Sequence, residues 1–533
     1  MHALRLALTD PRFDACAVTG ALAVQPGARG ALDKAAADAP AGAGPYADRL
    51  AAAVEASGTA VQRPELGTLV AAVPATTAER DAASAAVAAV DDEAVRLRTA
   101  VKSRDGFFTT FFISPYSRYI ARWCARRGLT PNQVTTASLI TALIAAGCAA
   151  TGERWGYVAA GVLLLVSFVL DCTDGQLARY SLQYSTMGAW LDATFDRAKE
   201  YSFYAGLALG AARNGDDVWA LALGAMILMT CRHVVDFAFN EANHDATANT
   251  SPTAALSDRL DSVGWTVWVR RMIILPIGER WAMIAVLTAF TTPRIVFYAL
   301  LAGCAFGALY TTAGRVLRSL TRKATRTDRA AQALADLADS AVLAWTGPAR
   351  PTKRRPNYES VGLALAGAVL MAGGAVIRDF GDTWLIGTAL AYVFFAGAAV
   401  AGPLRGPLDW LVPPLFRFAE YVTILALAAK ADVPGALPAA FGLVAAVAYH
   451  HYDTVYRIRG GSGAPPHWLV RTTGGHEGRV LLTVVLSVVL ARDVFPVALT
   501  AMAVFVALVV LVESIRFWVS SGAPAVHDEG EPA

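Results

Sequence analysis

Apolar segments of membrane-spanning length recur along most of this chain, and they constrain its fold more than any other feature. The hydrocarbon core of a bilayer is about 30 Å thick, so a helix needs roughly 20 mainly apolar residues to cross it. Six candidate spans precede a basic polar stretch and six follow it, at residues 132–150, 155–172, 198–213, 216–236, 278–291, 293–314, 359–378, 382–402, 416–431, 434–451, 478–491 and 493–516. The pattern predicts an all-α integral membrane protein with about twelve transmembrane helices.

Composition favours the same class of protein. The 533 residues are 55% hydrophobic and 17% charged, which is too apolar for an ordinary soluble protein. The net charge of +3 is small for this length, so we expect no nucleic-acid partner. The six cysteines form no CxxC pair, which argues against a disulfide framework and a structural zinc site.

The basic stretch between the two sets of spans sets the expected orientation. Lys and Arg in short loops stay on the cytoplasmic side of a membrane. An even number of spans then places both termini there, in a multi-pass protein of the cell (inner) membrane. The expected plan is a small soluble segment at 1–100, a membrane domain at 101–320, a basic linker at 321–358, a second membrane domain at 359–520 and a tail at 521–533.

An internal repeat relates the two sets of spans. WLDATFDRAKEYSFYAGLAL (190–209) aligns without gaps to WLVPPLFRFAEYVTILALAA (410–429), and the two share Trp, Leu, Arg, Glu and Tyr in register. GERWAMIAVL (278–287) is also similar to EGRVLLTVVL (477–486). The repeat predicts a duplicated six-helix unit, and the alternative is chance similarity between apolar helices.

Four aspartates stand where the second span ends and the third begins, in DCTDGQLARYSLQYSTMGAWLDATFD. Residues three or four apart share a helical face, so Asp171 and Asp174 line one helix while Asp192 and Asp196 line the next. Carboxylates at membrane depth are costly, and bound cations satisfy them most naturally. The spacing therefore predicts a metal cage at the cytoplasmic end of these spans.

The neighbouring residues suit a phosphate-bearing ligand. Carboxylate oxygens are hard ligands that suit Mg²⁺ or Mn²⁺, and such ions keep positions open for phosphate oxygens. Gly175, Ala178 and Gly188 are small residues on the same faces and would let a nucleotide approach closely. Arg179 adds a cation suited to phosphate.

These residues match the signature of the CDP-alcohol phosphotransferase family, D-x2-D-G-x2-A-R-x8-G-x3-D-x3-D, at all eight fixed positions. LTPNQVT (129–135) also resembles the segment that family members carry at this point, and the likeness covers roughly 107–319. It does not reach the amino-terminal segment.

The resemblance implies a six-helix catalytic unit that holds two Mg²⁺ or Mn²⁺ ions. Asp171, Asp174 and Asp192 would be ligands, and Asp196 would be both ligand and catalytic base for the acceptor hydroxyl. The residues that would contact the CDP portion are Gly175, Ala178, Arg179, Gly188 and Asn132. The donor would be CDP-diacylglycerol or a CDP-polyol, with CMP as the leaving group.

The acceptor is less constrained by the sequence. Cations near predicted cytoplasmic ends could hold an acceptor phosphate, although the positive-inside tendency alone also accounts for them. They are Lys199, Arg232, His233, Arg270 and Arg271. The segment at 102–128, with aromatics interleaved with Arg, fits an interfacial helix and resembles the approach segment of inositol-phosphate-transferring members, which favours a phosphorylated polyol acceptor.

The two remaining parts depart from the family pattern. The amino-terminal segment lacks a dense Gly-rich nucleotide loop, so we expect a degenerate nucleotidyltransferase relic or an unrelated accessory domain. The second half has Val412 where Asp192 stands and Phe416 where Asp196 stands, which predicts a non-catalytic copy. The protein would then be a homodimer, or the copy would make an internal pseudo-dimer.

The sequence is also compatible with two other functions. Twelve spans in two related halves also describe many secondary transporters, which place their ionisable groups near the midplane between the halves. Here the acidic cluster lies in one half near the cytoplasmic face, which favours an enzyme. A lipid-binding scaffold is the third alternative, and it would tolerate loss of the aspartates.

Overall fold

The computed structural model describes residues 29–37, 46–56, 76–102, 105–244, 274–321, 325–342 and 358–520, together with Val70, Pro74, Trp268 and Met272. The chain divides into two compact units, residues 1–99 and 100–533. The first unit contains four short helices among its described residues: α1 (Arg29–Ala37), α2 (Tyr46–Ala56), α3 (Thr77–Ala88) and α4 (Asp92–Thr99). The nucleotidyltransferase relic stays a prediction, and many of residues 1–100 lie outside the described residues.

The second unit is a bundle of long helices. An amphipathic helix, α5 (Ser114–Arg126), precedes the first six: α6 (Pro131–Ala150), α7 (Arg154–Ser181), α8 (Thr186–Arg213), α9 (Trp219–Asn243), α10 (Ile277–Phe290) and α11 (Pro293–Thr321). A short helix, α12 (Asp328–Ala338), leads to the second set: α13 (Glu359–Ile377), α14 (Trp384–Val400), α15 (Val412–Ala431), α16 (Ala436–Arg459), α17 (His467–Thr473), α18 (Gly475–Val489) and α19 (Phe495–Ser520). A helix covers most or all of each of the twelve predicted spans.

Among the described residues, seven helical segments are long and apolar enough to cross a membrane, which confirms an all-α membrane protein. They are Pro131–Ala150, Arg154–Ser181, Trp219–Asn243, Pro293–Thr321, Glu359–Ile377, Asp409–Ala431 and Phe495–Ser520. Helices α10, α14 and α18 have 14, 17 and 15 residues. Helices α8 and α16 are longer but carry several ionisable side chains.

The two sets of helices pack in the same order. In the first half α6 packs on α7 and α8, α7 packs on α10, and α9 packs on α11. In the second half α13 packs on α14 and α15, α14 packs on α18, and α16 packs on α19. Between the halves, α9 packs on α15 and α16, and α8 packs on α16.

Two glycines hold α8 tightly against α6. A Cβ atom at Gly206 would lie 2.4 Å from the carbonyl oxygen of Ala146, and one at Gly210 would lie 2.1 Å from that of Ala149. Small residues one turn apart let membrane helices approach this closely. The helix that carries Asp192 and Asp196 is therefore fixed by backbone contact.

Helix α5 lies against α7 and exposes aromatic side chains. The Ser117 hydroxyl donates a hydrogen bond of 2.8 Å to Oε1 of Gln176. On the opposite face Tyr119 and Trp123 are exposed, and the guanidinium of Arg127 lies 4.7 Å from the Trp123 ring. This arrangement suits a helix at the lipid headgroup level, as the sequence predicts.

Candidate active site

A short hairpin brings the ends of α7 and α8 together. Leu182 ends α7 in the left-handed conformation, with φ of 58°. Ser185 then caps α8, because its Oγ accepts a hydrogen bond of 2.9 Å from the backbone N–H of Gly188. The acidic turns on either side of this connection therefore face one another.

Three of the four predicted aspartates converge. Asp171, Asp192 and Asp196 each offer one carboxylate oxygen, and these oxygens lie within 4.8 Å of one another. The side chains of Asp171 and Asp196 are 14% and 17% exposed, so the group is shielded but reachable. Among the described residues, this is the single cluster with the geometry of a metal site.

Asp174 lies one turn from Asp171 on α7 and is buried. Its Oδ2 accepts no hydrogen bond from the residues that the structure describes. A buried carboxylate oxygen without a partner is costly, and a cation would satisfy it. The all-oxygen donor set of the four aspartates fits Mg²⁺ or Mn²⁺.

Lys199 lies inside the acidic group. Its ammonium makes ion pairs with Asp171 and, at 2.8 Å, with Asp196, and it donates to the Ser138 hydroxyl at 3.3 Å. The side chain is 1% exposed. Lys199 therefore holds two carboxylates in position, although the sequence suggested it as one of several acceptor-phosphate ligands.

The small residues of the motif make room for polar neighbours. A Cβ atom at Gly188 would lie 2.9 Å from Oδ1 of Asn132, so glycine permits this approach between α6 and α8. The guanidinium of Arg179 lies over Gly175, and its Nε donates to the carbonyl oxygen of Ala100 at 2.6 Å. Ala178 is partly exposed one turn beyond Asp174. The motif residues thus line the ends of α6, α7 and α8.

The suggested acceptor residues have different surroundings. Arg232 is buried on α9, where Nη2 donates to the carbonyl of Ile274, while Nε and Nη1 have no hydrogen-bond partner within the described part of the chain. The ring of His233 is hydrogen-bonded to the Tyr452 hydroxyl and so faces the second half. Arg270 and Arg271 lie outside the described residues.

Residues 128–309 match the family model described as CDP-alcohol phosphatidyltransferase. The first membrane half therefore contains a domain of this family. Residues 328–533 match a second model, a family of unknown function (DUF5941). The resemblance inferred from the aspartate motif is therefore confirmed for the first membrane half.

Curated relatives are similar to parts of this chain. An archaetidylinositol phosphate synthase of Pyrococcus horikoshii is 32% identical over 115 residues, which are 21% of this chain and 58% of that protein. A phosphatidylinositol phosphate synthase of Mycolicibacterium smegmatis is 35% identical over 123 residues, 23% of this chain and 53% of the relative. A bifunctional IPC transferase and DIPP synthase of Rubrobacter xylanophilus is 42% identical over 84 residues, 16% and 18% of the two chains. The chain thus spans only part of each relative.

Beside the motif of this CDP-alcohol phosphatidyltransferase domain lies a buried ionic triad that sequence reasoning missed. Arg197 Nη1 lies 2.8 Å from Oε2 of Glu200, and Arg280 Nε lies 3.2 Å from Oε1 of the same carboxylate. The Tyr204 hydroxyl donates to Glu200 at 2.6 Å. The triad ties α8 to α10 directly beside Asp196.

The second half contains the same triad. Arg417 Nη1 lies 2.7 Å from Oε2 of Glu420, and Arg479 Nε lies 2.6 Å from Oε1 of Glu420. The repeat alignment pairs Arg197 with Arg417, Glu200 with Glu420 and Arg280 with Arg479. Shared ionisable residues in apolar repeats were the signal that could have revealed the triads.

Aromatic rings fill the second half where the repeat places Asp196. Phe416 is buried and stacks on the ring of His476, with centroids 4.2 Å apart. The Tyr392 hydroxyl is hydrogen-bonded to Nδ1 of His476 at 2.7 Å. The described residues of this half form no acidic cluster like that of α7 and α8.

Proposed function

We propose that this protein transfers a phosphoalcohol group from a CDP-linked donor to a hydroxyl acceptor, with release of CMP. The observation that carries the proposal is the convergence of Asp171, Asp192 and Asp196 within 4.8 Å, beside the buried Asp174, in a domain of the CDP-alcohol phosphatidyltransferase family. The site lies at the ends of α7 and α8, so a lipid-linked and a water-soluble substrate could both reach it.

The four aspartates would hold two divalent cations. Bound Mg²⁺ or Mn²⁺ would supply charge stabilisation at the diphosphate as the bond to CMP breaks. Lys199 fixes the carboxylates of Asp171 and Asp196 within the group. Asp196 would accept the proton of the acceptor hydroxyl while the hydroxyl oxygen forms the new bond to phosphorus.

The CDP portion would lie along the motif residues. Gly188 and Asn132 meet at the start of α8, and Gly175 lies under the guanidinium of Arg179. Ala178 leaves this face of α7 open. Arg179 would make charge-assisted hydrogen bonds to a phosphate of the donor.

The acceptor that we propose is a phosphorylated polyol, with inositol phosphate as the first candidate. Several relatives carry the names archaetidylinositol phosphate synthase and phosphatidylinositol phosphate synthase. Arg232 offers two buried donor nitrogens, Nε and Nη1, without hydrogen-bond partners among the described residues, and a phosphate monoester would satisfy them. CDP-diacylglycerol is the donor to test first, and a CDP-polyol is the alternative.

The second half is, in this proposal, a non-catalytic copy that occupies the partner surface of an internal pseudo-dimer. The shared packing order and the two Arg–Glu–Arg triads support duplication. The aromatic filling around Phe416 supports loss of the metal cage. Twelve spans with both termini in the cytoplasm, and an accessory amino-terminal unit, complete the proposed architecture.

The experiment combines purified protein in lipid nanodiscs with Mg²⁺, CDP-diacylglycerol or a CDP-polyol, and a panel of free and phosphorylated polyols. Products are identified by mass and CMP is quantified. We expect CMP release that depends on a phosphorylated acceptor. CMP release with none of these pairs, together with uptake of a phosphorylated solute into proteoliposomes, would favour the transporter alternative.

A further inference from the structure

The second half contains a buried cationic site that is separate from the acidic cluster. Arg417 Nη2 and Arg479 Nη2 lie 2.9 Å and 2.8 Å from Oδ2 of Asp339, and His450 Nε2 lies 3.2 Å from Oδ1. All four side chains are at most 5% exposed. The donor side chains come from three helices, α15, α18 and α16, and converge on one carboxylate.

That carboxylate belongs to none of these helices. Asp339 follows α12 in the segment that joins the two halves, and it adopts the left-handed conformation with φ of 52°. The next residues are held as well, since the Ser340 hydroxyl donates to Glu477 at 2.5 Å and the Ala341 N–H donates to the same carboxylate at 3.0 Å. The joining segment thus places an acidic side chain inside the helix bundle, in a position that a bound anion could occupy.

The positive charges of the surrounding arginines favour an anion at the position of the Asp339 carboxylate. Arg417 and Arg479 share Glu420, so without Asp339 two buried guanidinium groups would face one carboxylate. Burial by itself raises the pKa of Asp339, but the charges of Arg479, His450 and Arg417 outweigh it and hold that pKa well below its usual range. Arg479 Nη1 and Arg417 Nε have no hydrogen-bond partner in the described ranges, so the site has spare donors.

The first half has the same Arg–Glu–Arg triad, but its described residues include no counterpart of the Asp339 carboxylate. Arg197 and Arg280 share Glu200 in the arrangement that Arg417 and Arg479 make around Glu420. Among the described residues, no acidic side chain from outside the six helices contacts Arg197 or Arg280. The site is therefore a property of the repeated helices, and Asp339 is an addition to it.

We propose that α15, α16 and α18 form an oxyanion-binding site whose resident ligand is the carboxylate of Asp339. The site takes small carboxylates and phosphate when that side chain is removed. Asp339 thereby fastens the joining segment to the second half and closes this site to free anions. The anion site does not depend on the proposed transferase activity.

The test is chemical rescue of the Asp339→Ala variant by sodium formate and by inorganic phosphate. Thermal unfolding of the full chain in detergent is measured against wild type, with sodium chloride at matched ionic strength. We expect Asp339→Ala to lower the Tm by several degrees and formate to restore most of the loss while barely moving the wild type. We expect inorganic phosphate to rescue the variant as well, and rescue by formate but not by phosphate would contradict the proposed binding of phosphate.

Two further variants separate anion binding from other effects of the substitution. Asp339→Asn keeps the side-chain volume but not the charge, so we expect a lower Tm that formate does not restore. Asp336→Ala removes an acid from the same segment that is hydrogen-bonded by Gln332, and it should respond to formate like wild type. If Asp339→Ala cannot be isolated, purification in formate should recover it. Failure in both buffers, a wild-type Tm for Asp339→Ala, or an equal formate response in all variants would overturn the proposal.

Discussion

The ring of Tyr452 lies 5.1 Å from the guanidinium carbon of Arg197, across the contact between the two membrane halves. Arg197 follows Asp196 directly on α8, and the Tyr452 hydroxyl is hydrogen-bonded to His233 on α9. Trp518 adds a second contact, because its ring stacks on Trp190 with centroids 6.2 Å apart. The second half therefore contacts α8, the helix that carries Asp192 and Asp196.

We expect Tyr452→Ala to lower kcat by about tenfold through displacement of α8, since small shifts of catalytic groups are costly. Tyr452→Phe should keep most of the activity because the ring still covers Arg197. Mn²⁺ affinity, measured by electron paramagnetic resonance, should weaken in Tyr452→Ala in parallel. The control is Tyr310→Ala on α11, where the ring is exposed. Equal kinetics for Tyr452→Ala and this control would show that the second half does not position the site.

Replacing Arg232 should weaken binding of the acceptor substrate and leave binding of the CDP-linked donor unchanged. Arg232→Gln removes a charge-assisted contact worth about 1.5–3 kcal/mol, so the KM for a phosphorylated acceptor should rise about tenfold or more. The KM for the CDP donor should stay near the wild-type value. Arg294→Gln is the matched control, because Arg294 pairs with Asp216 away from the aspartate cluster. A rise in the donor KM alone would assign Arg232 to the other substrate.

Lys199→Met should make folding more dependent on metal. The substitution removes the cation that pairs with Asp171 and Asp196, leaving their negative charges to repel one another. We expect a lower Tm than wild type in EDTA and a larger rise in Tm on addition of Mg²⁺. Thermal unfolding with and without the ion measures both. An identical Mg²⁺ response in the two proteins would contradict the placement of Lys199 within a cation site.

Breaking the triad of the second half should reduce stability. Glu420→Gln leaves Arg417 and Arg479 with one fewer buried carboxylate, and loss of one partner of such a pair costs about 3–5 kcal/mol. A chemical unfolding titration would measure the loss. Glu513→Gln serves for comparison, since Glu513 pairs with Arg457 and is 12% exposed. A smaller effect for Glu420→Gln than for Glu513→Gln would show that the triad is dispensable.

The sequence predicted the helical class and the acidic cluster because both depend on local spacing. Asp171 and Asp174 are one turn apart, as are Asp192 and Asp196, so a short hairpin was enough to bring Asp171, Asp192 and Asp196 together beside Asp174. The contact of Tyr452 with Arg197 could not be predicted, because it joins residues that are distant in sequence through the packing of α8 on α16. The burial of Lys199 among the acids was missed for a related reason: a cation near a helix end also fits the positive-inside tendency.

The central claim is that the four aspartates activate a CDP-linked donor with the help of divalent cations. The most direct measurement is CMP release from CDP-diacylglycerol with inositol phosphate in nanodiscs, with Mg²⁺ or with EDTA, for wild type, Asp196→Asn and Asp216→Asn. We predict release by wild type and Asp216→Asn only in Mg²⁺, and a fall of about 10²–10⁴-fold for Asp196→Asn. Release by Asp196→Asn at the wild-type rate, or undiminished release in EDTA, would contradict the account.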